Sequence, residues 1–87
     1  HLQQIHLWPN PANEMMQLSF NSSTAEVVEY TFTNFLGQVV MKDKLSALKG
    51  FNKHTIDVSA IPEGTYLVQV KTDNETHTKK MVIIRTN

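Results

Sequence analysis

No cysteine occurs among the 87 residues, which excludes a disulfide framework, a thiolate metal site and a cysteine nucleophile. Stability must come from packing alone. Three glycines leave little scope for a phosphate-cradling loop, and no G-x-S-x-G elbow is present. Lys plus Arg equal Asp plus Glu at eight each, and no basic stripe is interleaved with aromatics, which argues against a nucleic-acid module. The longest apolar run, Met81-Val82-Ile83-Ile84, is far short of the ~20 residues of a membrane-spanning helix. The sequence opens on His1 without the pattern of a signal peptide, so a piece of a longer protein is expected.

Reactive constellations are also missing. The four histidines, His1, His6, His54 and His77, share no metal-binding spacing and read as scattered solvent-facing residues. Asp57, Asp73 and Glu75 match no calcium loop. Asn21-Ser22-Ser23 and Asn74-Glu75-Thr76 fit the short N-glycosylation pattern. No cofactor, metal or small-molecule substrate is implied, and no enzyme is expected.

What is present is alternation. In Ile61-Pro62-Glu63-Gly64-Thr65-Tyr66-Leu67-Val68-Gln69-Val70, Pro62 suits the second position of a type I turn and Gly64 the fourth. Tyr66, Val68 and Val70 then alternate with Leu67, Gln69 and Lys71, as a strand with one inward face does. Tyr66 lies two residues past the glycine, so its ring can pack inward while its hydroxyl reaches back to the turn. That is the tyrosine corner of immunoglobulin-like sandwiches, here with Val68 where antibody domains carry a cysteine.

Taken in order, Ile5 to Trp8 is extended and stops at Pro9-Asn10-Pro11, a corner that lacks two backbone donors. Trp8 is expected to cover one end of the core; the alternative is ligand stacking. Met16, Leu18 and Phe20 share one strand face, and Asn21-Ser22-Ser23 reads as a turn. Val28, Tyr30 and Phe32 point inward from a strand over 27–33, which turns at Asn34-Phe35-Leu36-Gly37 and returns over 38–42 as a hairpin. The stretch 43–53 lacks a pattern and reads as loop. Thr55 to Val58 is a strand, Asp73-Asn74 a two-residue hairpin turn, and 76–85 the last strand. The four methionines, 15, 16, 41 and 81, read as core or face fillers. The expectation is all-β: a seven-stranded antiparallel immunoglobulin-like β-sandwich, with closed barrels as the alternative.

Four blocks resemble a known family. Trp8-Pro9-Asn10-Pro11-Ala12-Asn13 is similar to the aromatic-P-N-P-A/T-x-D/N opening of the type A C-terminal sorting domains of the bacterial type IX (Por) secretion system. Val28-x-Tyr30-x-Phe32-x-Asn34-x-x-Gly37-x-Val39-Val40 resembles its central hairpin, with Asn34 for the usual Asp and Gln38 for the usual Arg. The stretch from Thr55 to Tyr66 resembles its "i-d-l-s-x-L-p-x-G-x-Y" segment, and Lys79 to Arg85 its terminal strand.

The resemblance implies that residues 1–87 form a single sorting domain excised from a larger secreted protein. It implies an N-terminal cargo domain that reaches the periplasm of a Gram-negative bacterium and then crosses the outer membrane through a translocon. A sortase-like protease typically removes such a domain at the cell surface and joins the cargo to anionic lipopolysaccharide. Pro9, Asn10, Pro11, Asn34, Gly37, Gly64 and Tyr66 then form the structural signature. Lys79, Lys80, Met81, Val82, Ile83, Ile84 and Arg85 are the expected docking strand, by strand addition at an unpaired edge. Pro9-Asn10-Pro11 is expected to act as scaffold. Two rivals remain at this point. One is an accessory module binding carbohydrate or protein through Trp8 with Tyr30 or Tyr66; the other is a weak homodimer along an edge strand.

Overall fold

In the computed structural model, residues 1–85 are described, and they fold as seven antiparallel strands in two layers. These are β1 (Leu2–Trp8), β2 (Met15–Ser22), β3 (Glu26–Thr33), β4 (Val39–Ala47), β5 (Gly50–Asp57), β6 (Gly64–Lys71) and β7 (Thr76–Ile83). One sheet has the order β1-β2-β5, the other β4-β3-β6-β7. In constant-type immunoglobulin domains the fourth strand joins the sheet of the first, second and fifth. Here β4 stays beside β3, giving three strands over four.

Alternation builds the core as expected. Met16, Leu18 and Phe20 of β2 face Val28, Phe32 and Val68 of β3 and β6, all without solvent exposure. Tyr30 packs edge-on to Phe32, with ring centroids 6.2 Å apart. Met16 and Met81 are fully buried, Met41 is half-buried, and Met15 lies largely exposed at the start of β2.

The stretch 43–53 is not a loop. Residues 43–47 extend β4 and residues 50–53 begin β5, with Leu48 and Lys49 between them. The apolar pattern misses both because each strand is a sheet edge. The half-buried positions of β5 are Gly50, Asn52 and His54 before Ile56, so its inward face is mostly polar. Asn52 joins the two strands, accepting from Leu48 N–H at 2.9 Å and donating to the Leu48 carbonyl at 2.8 Å. Asn21 and Ser22 likewise belong to β2, paired with Phe51 and Gly50, rather than to a turn.

Trp8 does not cap the core. A register shift between Gln3 and His6, with Gln4 at φ 54°, places Leu2 and Ile5 on one buried face. Leu7 takes the next inward position, so Trp8 points outward and is 38% exposed. His54 and His77 are half-buried rather than solvent-facing, His54 lying 5.9 Å from the Tyr30 ring.

Phe20→Ala and Phe32→Ala should each destabilise the domain by about 3–5 kcal/mol, because a cavity is added to the lost transfer energy. Phe35→Ala, at an 88% exposed position, should stay within about 0.5 kcal/mol. Urea unfolding midpoints check all three.

Candidate recognition surface

Several chain segments meet at the end of the sandwich where β6 begins. Tyr66 is buried, and its hydroxyl donates to the Pro62 carbonyl, closing the tyrosine corner. The hydrogen-bonded turn itself lies earlier than expected: Ile61 N–H donates to the Val58 carbonyl at 3.3 Å. Gly64 does not close a turn on Ile61. It opens β6 opposite Ile83, at φ 154°. The Ile61 carbonyl is instead taken by Arg85.

The Pro9-Asn10-Pro11 corner leaves β1 and crosses to the other layer. Ala12 N–H donates to the Val82 carbonyl (2.9 Å), and Ile84 N–H donates to the Ala12 carbonyl (2.8 Å), a short parallel bridge to the outer edge of β7. Asn10 Oδ1 accepts from Val82 N–H at 3.1 Å. The corner therefore stitches the two sheets and covers the last part of the terminal strand.

Arg85 completes this end from the other side. Its guanidinium donates to the carbonyls of Asn13, Val58 and Ile61, while its backbone N–H donates to Glu63 Oε1. A planar fork suits several carbonyls at once in a way an ammonium does not. Thus Arg85 is engaged inside the fold, Met81 and Ile83 are core residues, and the backbone of Val82 and Ile84 is bonded to the corner. Of the expected docking strand, Lys79 and Lys80 are exposed, and among the described residues their ammonium groups form no ion pair. Because Val82 turns both backbone groups outward, so do Lys80, Thr78 and Thr76 along the free part of the edge. Lys79 shares its face with Met81 and Ile83, so it is an inward-side charge on an edge strand, a position that discourages indiscriminate pairing.

The Asn34 turn closes as expected. Gly37 N–H donates to the Asn34 carbonyl (3.0 Å), and Asn34 Oδ1 accepts from both Leu36 and Gln38 N–H at 3.0 Å. Gly37 sits at φ 84°, where a side chain would be strained.

Three carboxylates are held below their ordinary range by hydrogen bonds. Glu26 accepts first from the Ser22 hydroxyl (2.7 Å). Glu75 accepts first from His77 Nε2 (2.6 Å) and then from Leu2 N–H (2.9 Å). Asp57 accepts first from the Ser59 hydroxyl (2.6 Å) and then from Ser59 N–H (2.9 Å). Among the described residues no three His, Asp or Glu side chains cluster as a metal site would. Tyr30 and Tyr66 are each 4% exposed, so neither can join Trp8 in an exposed aromatic platform.

The β-sandwich thus presents, at one end, a rigid turn, a stitched corner and a partly free strand edge. The chain belongs to the family described as "Secretion system C-terminal sorting domain", the type IX sorting domains, whose profile matches residues 6–84. Among solved structures it is similar to a part of "dimeric latent PorU from Porphyromonas gingivalis", at a TM-score of 0.74 and 18% identity. That match covers 94% of this chain and 9% of the PorU chain, and at this identity it speaks for the fold alone. No curated protein matches the sequence.

Arg85→Ala should cost about 2–3 kcal/mol, the loss of a charged donor shared by three carbonyls; Arg85→Lys should recover less than half of it, as denaturant midpoints would register. The depressed pKa values of Glu75 and Asp57 mean that the unfolded chain binds more protons in acid. Their contribution is complete above the ordinary carboxylate range and disappears as pH falls through the folded values. The urea midpoint should therefore hold from pH ~7 to ~5 and drop below ~4, more shallowly in Glu75→Gln.

Proposed function

We propose that this domain is the export address of an N-terminal cargo protein, carrying it from the periplasm of a Gram-negative bacterium through the type IX translocon to the surface. The family match over residues 6–84 carries this reading. The domain is then removed by a sortase-like protease, and the cargo is joined to anionic lipopolysaccharide. It acts as an address and a substrate, so its task is to keep one recognisable shape whatever precedes it.

The docking element is the free edge of β7, over Thr76 to Lys80, by strand addition beside Lys79 and Lys80. The outward backbone groups of Thr76, Thr78 and Lys80 support this choice, since the rest of the strand is engaged by Asn10, Ala12 and the core.

The test is a reporter fused ahead of the domain, with a periplasmic signal, in a bacterium that carries the type IX system. The reporter should reach the surface or medium with the domain and stay in the periplasm without it; equal distribution would overturn the reading. Lys80→Pro removes an outward N–H without touching the ladder to β6. It should leave the domain folded by circular dichroism yet lower export, whereas undiminished export would rule out strand addition at this edge.

A further inference from the structure

The exposed large apolar side chains of this protein are unevenly placed. Phe35 (88% exposed) and Leu36 (68%) form the tip of the Asn34 turn. Val39 and Leu67, both at least half exposed, flank Thr33 on the outer face of the four-stranded sheet, since Thr33 is the register partner of each. Between the tip and β6 lies a groove of about 340 Å³ lined by Thr33, Asn34, Phe35, Gly37, Thr65, Tyr66 and Leu67. None of these side chains is charged.

The tip is not a loose loop. Asn34 binds two backbone N–H groups of its own turn through one oxygen, and its amide donates to Gln38 Oε1 at 3.1 Å. Holding Phe35 and Leu36 in water on a rigid turn adds nothing to the fold and suits contact with another molecule. The position is also telling. β1 begins at the opposite end, where Leu2 N–H meets Glu75 of the β6–β7 hairpin, in a body about 40 Å long. β1 therefore enters the sandwich at the far end from this tip.

Charge decides between the two kinds of surface that could cover it. Glu14, Asp57 and Glu63 are exposed around this end, where Arg85 is already committed to backbone carbonyls and Lys80 is an exposed cation beside Leu67. Three carboxylates oppose approach to an anionic lipid surface. They suit a protein with an apolar centre and a basic rim.

We propose that the Phe35-Leu36 tip with Val39 and Leu67 is a second contact surface, which seats uncharged aromatic or branched aliphatic side chains of a protein component of the secretion machinery. It rests on the sorting reading above. Being contiguous with β7 through the Leu67–Lys80 pair, it lets one partner grip both the strand edge and the turn.

The test uses the same reporter fusion. Phe35→Ser with Leu67→Ser should keep the thermal midpoint of the parent domain and lower export about tenfold, the loss of one well-packed anchor pair. Val27→Ser with Phe51→Ser, equally exposed at the other end, should leave export unchanged. A photo-crosslinking residue at position 35 should capture an outer-membrane protein of the exporting cell. Full export by the folded Phe35→Ser/Leu67→Ser variant would overturn the proposal while leaving the sorting reading intact. Failure of the parent domain to export would overturn both. Binding of the parent domain to phosphatidylethanolamine–phosphatidylglycerol vesicles, lost in Phe35→Ser, would replace the protein partner with a lipid surface and overturn the assignment.

Discussion

With no covalent cross-link available, the open end of the sandwich is closed by hydrogen bonds that tie the two sheets together. The last residues of β7 and those just after it do this. Val82, Ile84 and Arg85 bond to Asn10, Ala12, Asn13, Val58, Ile61 and Glu63, drawing together the corner after β1, the loop before β6 and the terminal strand. Each bond is worth about 0.5–1.5 kcal/mol net, more when the donor is charged. Without the guanidinium, the Ile61 carbonyl at this crowded end would lose its donor, and the Val58 carbonyl would keep only the Ile61 N–H. The apolar seam between the layers supplies the driving force, and this closure sets where the layers stop.

The strand that closes the fold is an edge strand, so one element is buried on its inner face and along part of its length keeps an open edge. The structure divides it by length. Met81 to Arg85 belong to the core and the clasp, while Thr76 to Lys80 keep a free edge. The apolar Asn34 turn lies at the same end, away from the entry of β1.

Much of this was legible in the residues. Alternation at Met16-Leu18-Phe20, Val28-Tyr30-Phe32 and Tyr66-Val68-Val70 is a local consequence of a strand with one wet face, so it declares itself without knowledge of neighbours. The Asn34–Gly37 turn and the Tyr66 corner were readable for the same reason, because their hydrogen bonds close within about four residues. Reading failed where burial was not apolar. The inner face of β5 carries Gly50, Asn52 and His54, and the edge strand β4 has no consistent inner face. Trp8 was misplaced because a single bulge residue, Gln4, reverses the parity of everything after it.

The amino-acid order by itself determined the class of fold, the hairpins and the family, since each rests on short-range periodicity or on motifs read in sequence. Only the tertiary structure decided that the Arg85 guanidinium is bonded to backbone carbonyls within the fold and that Asn10 and Ala12 cover the end of β7. It also decided which lysines remain free. Those assignments join residues more than twenty positions apart, up to seventy-two in the case of Arg85 and Asn13. A charged side chain carries no mark of whether a carbonyl or water will meet it; the packing of the two layers makes that choice.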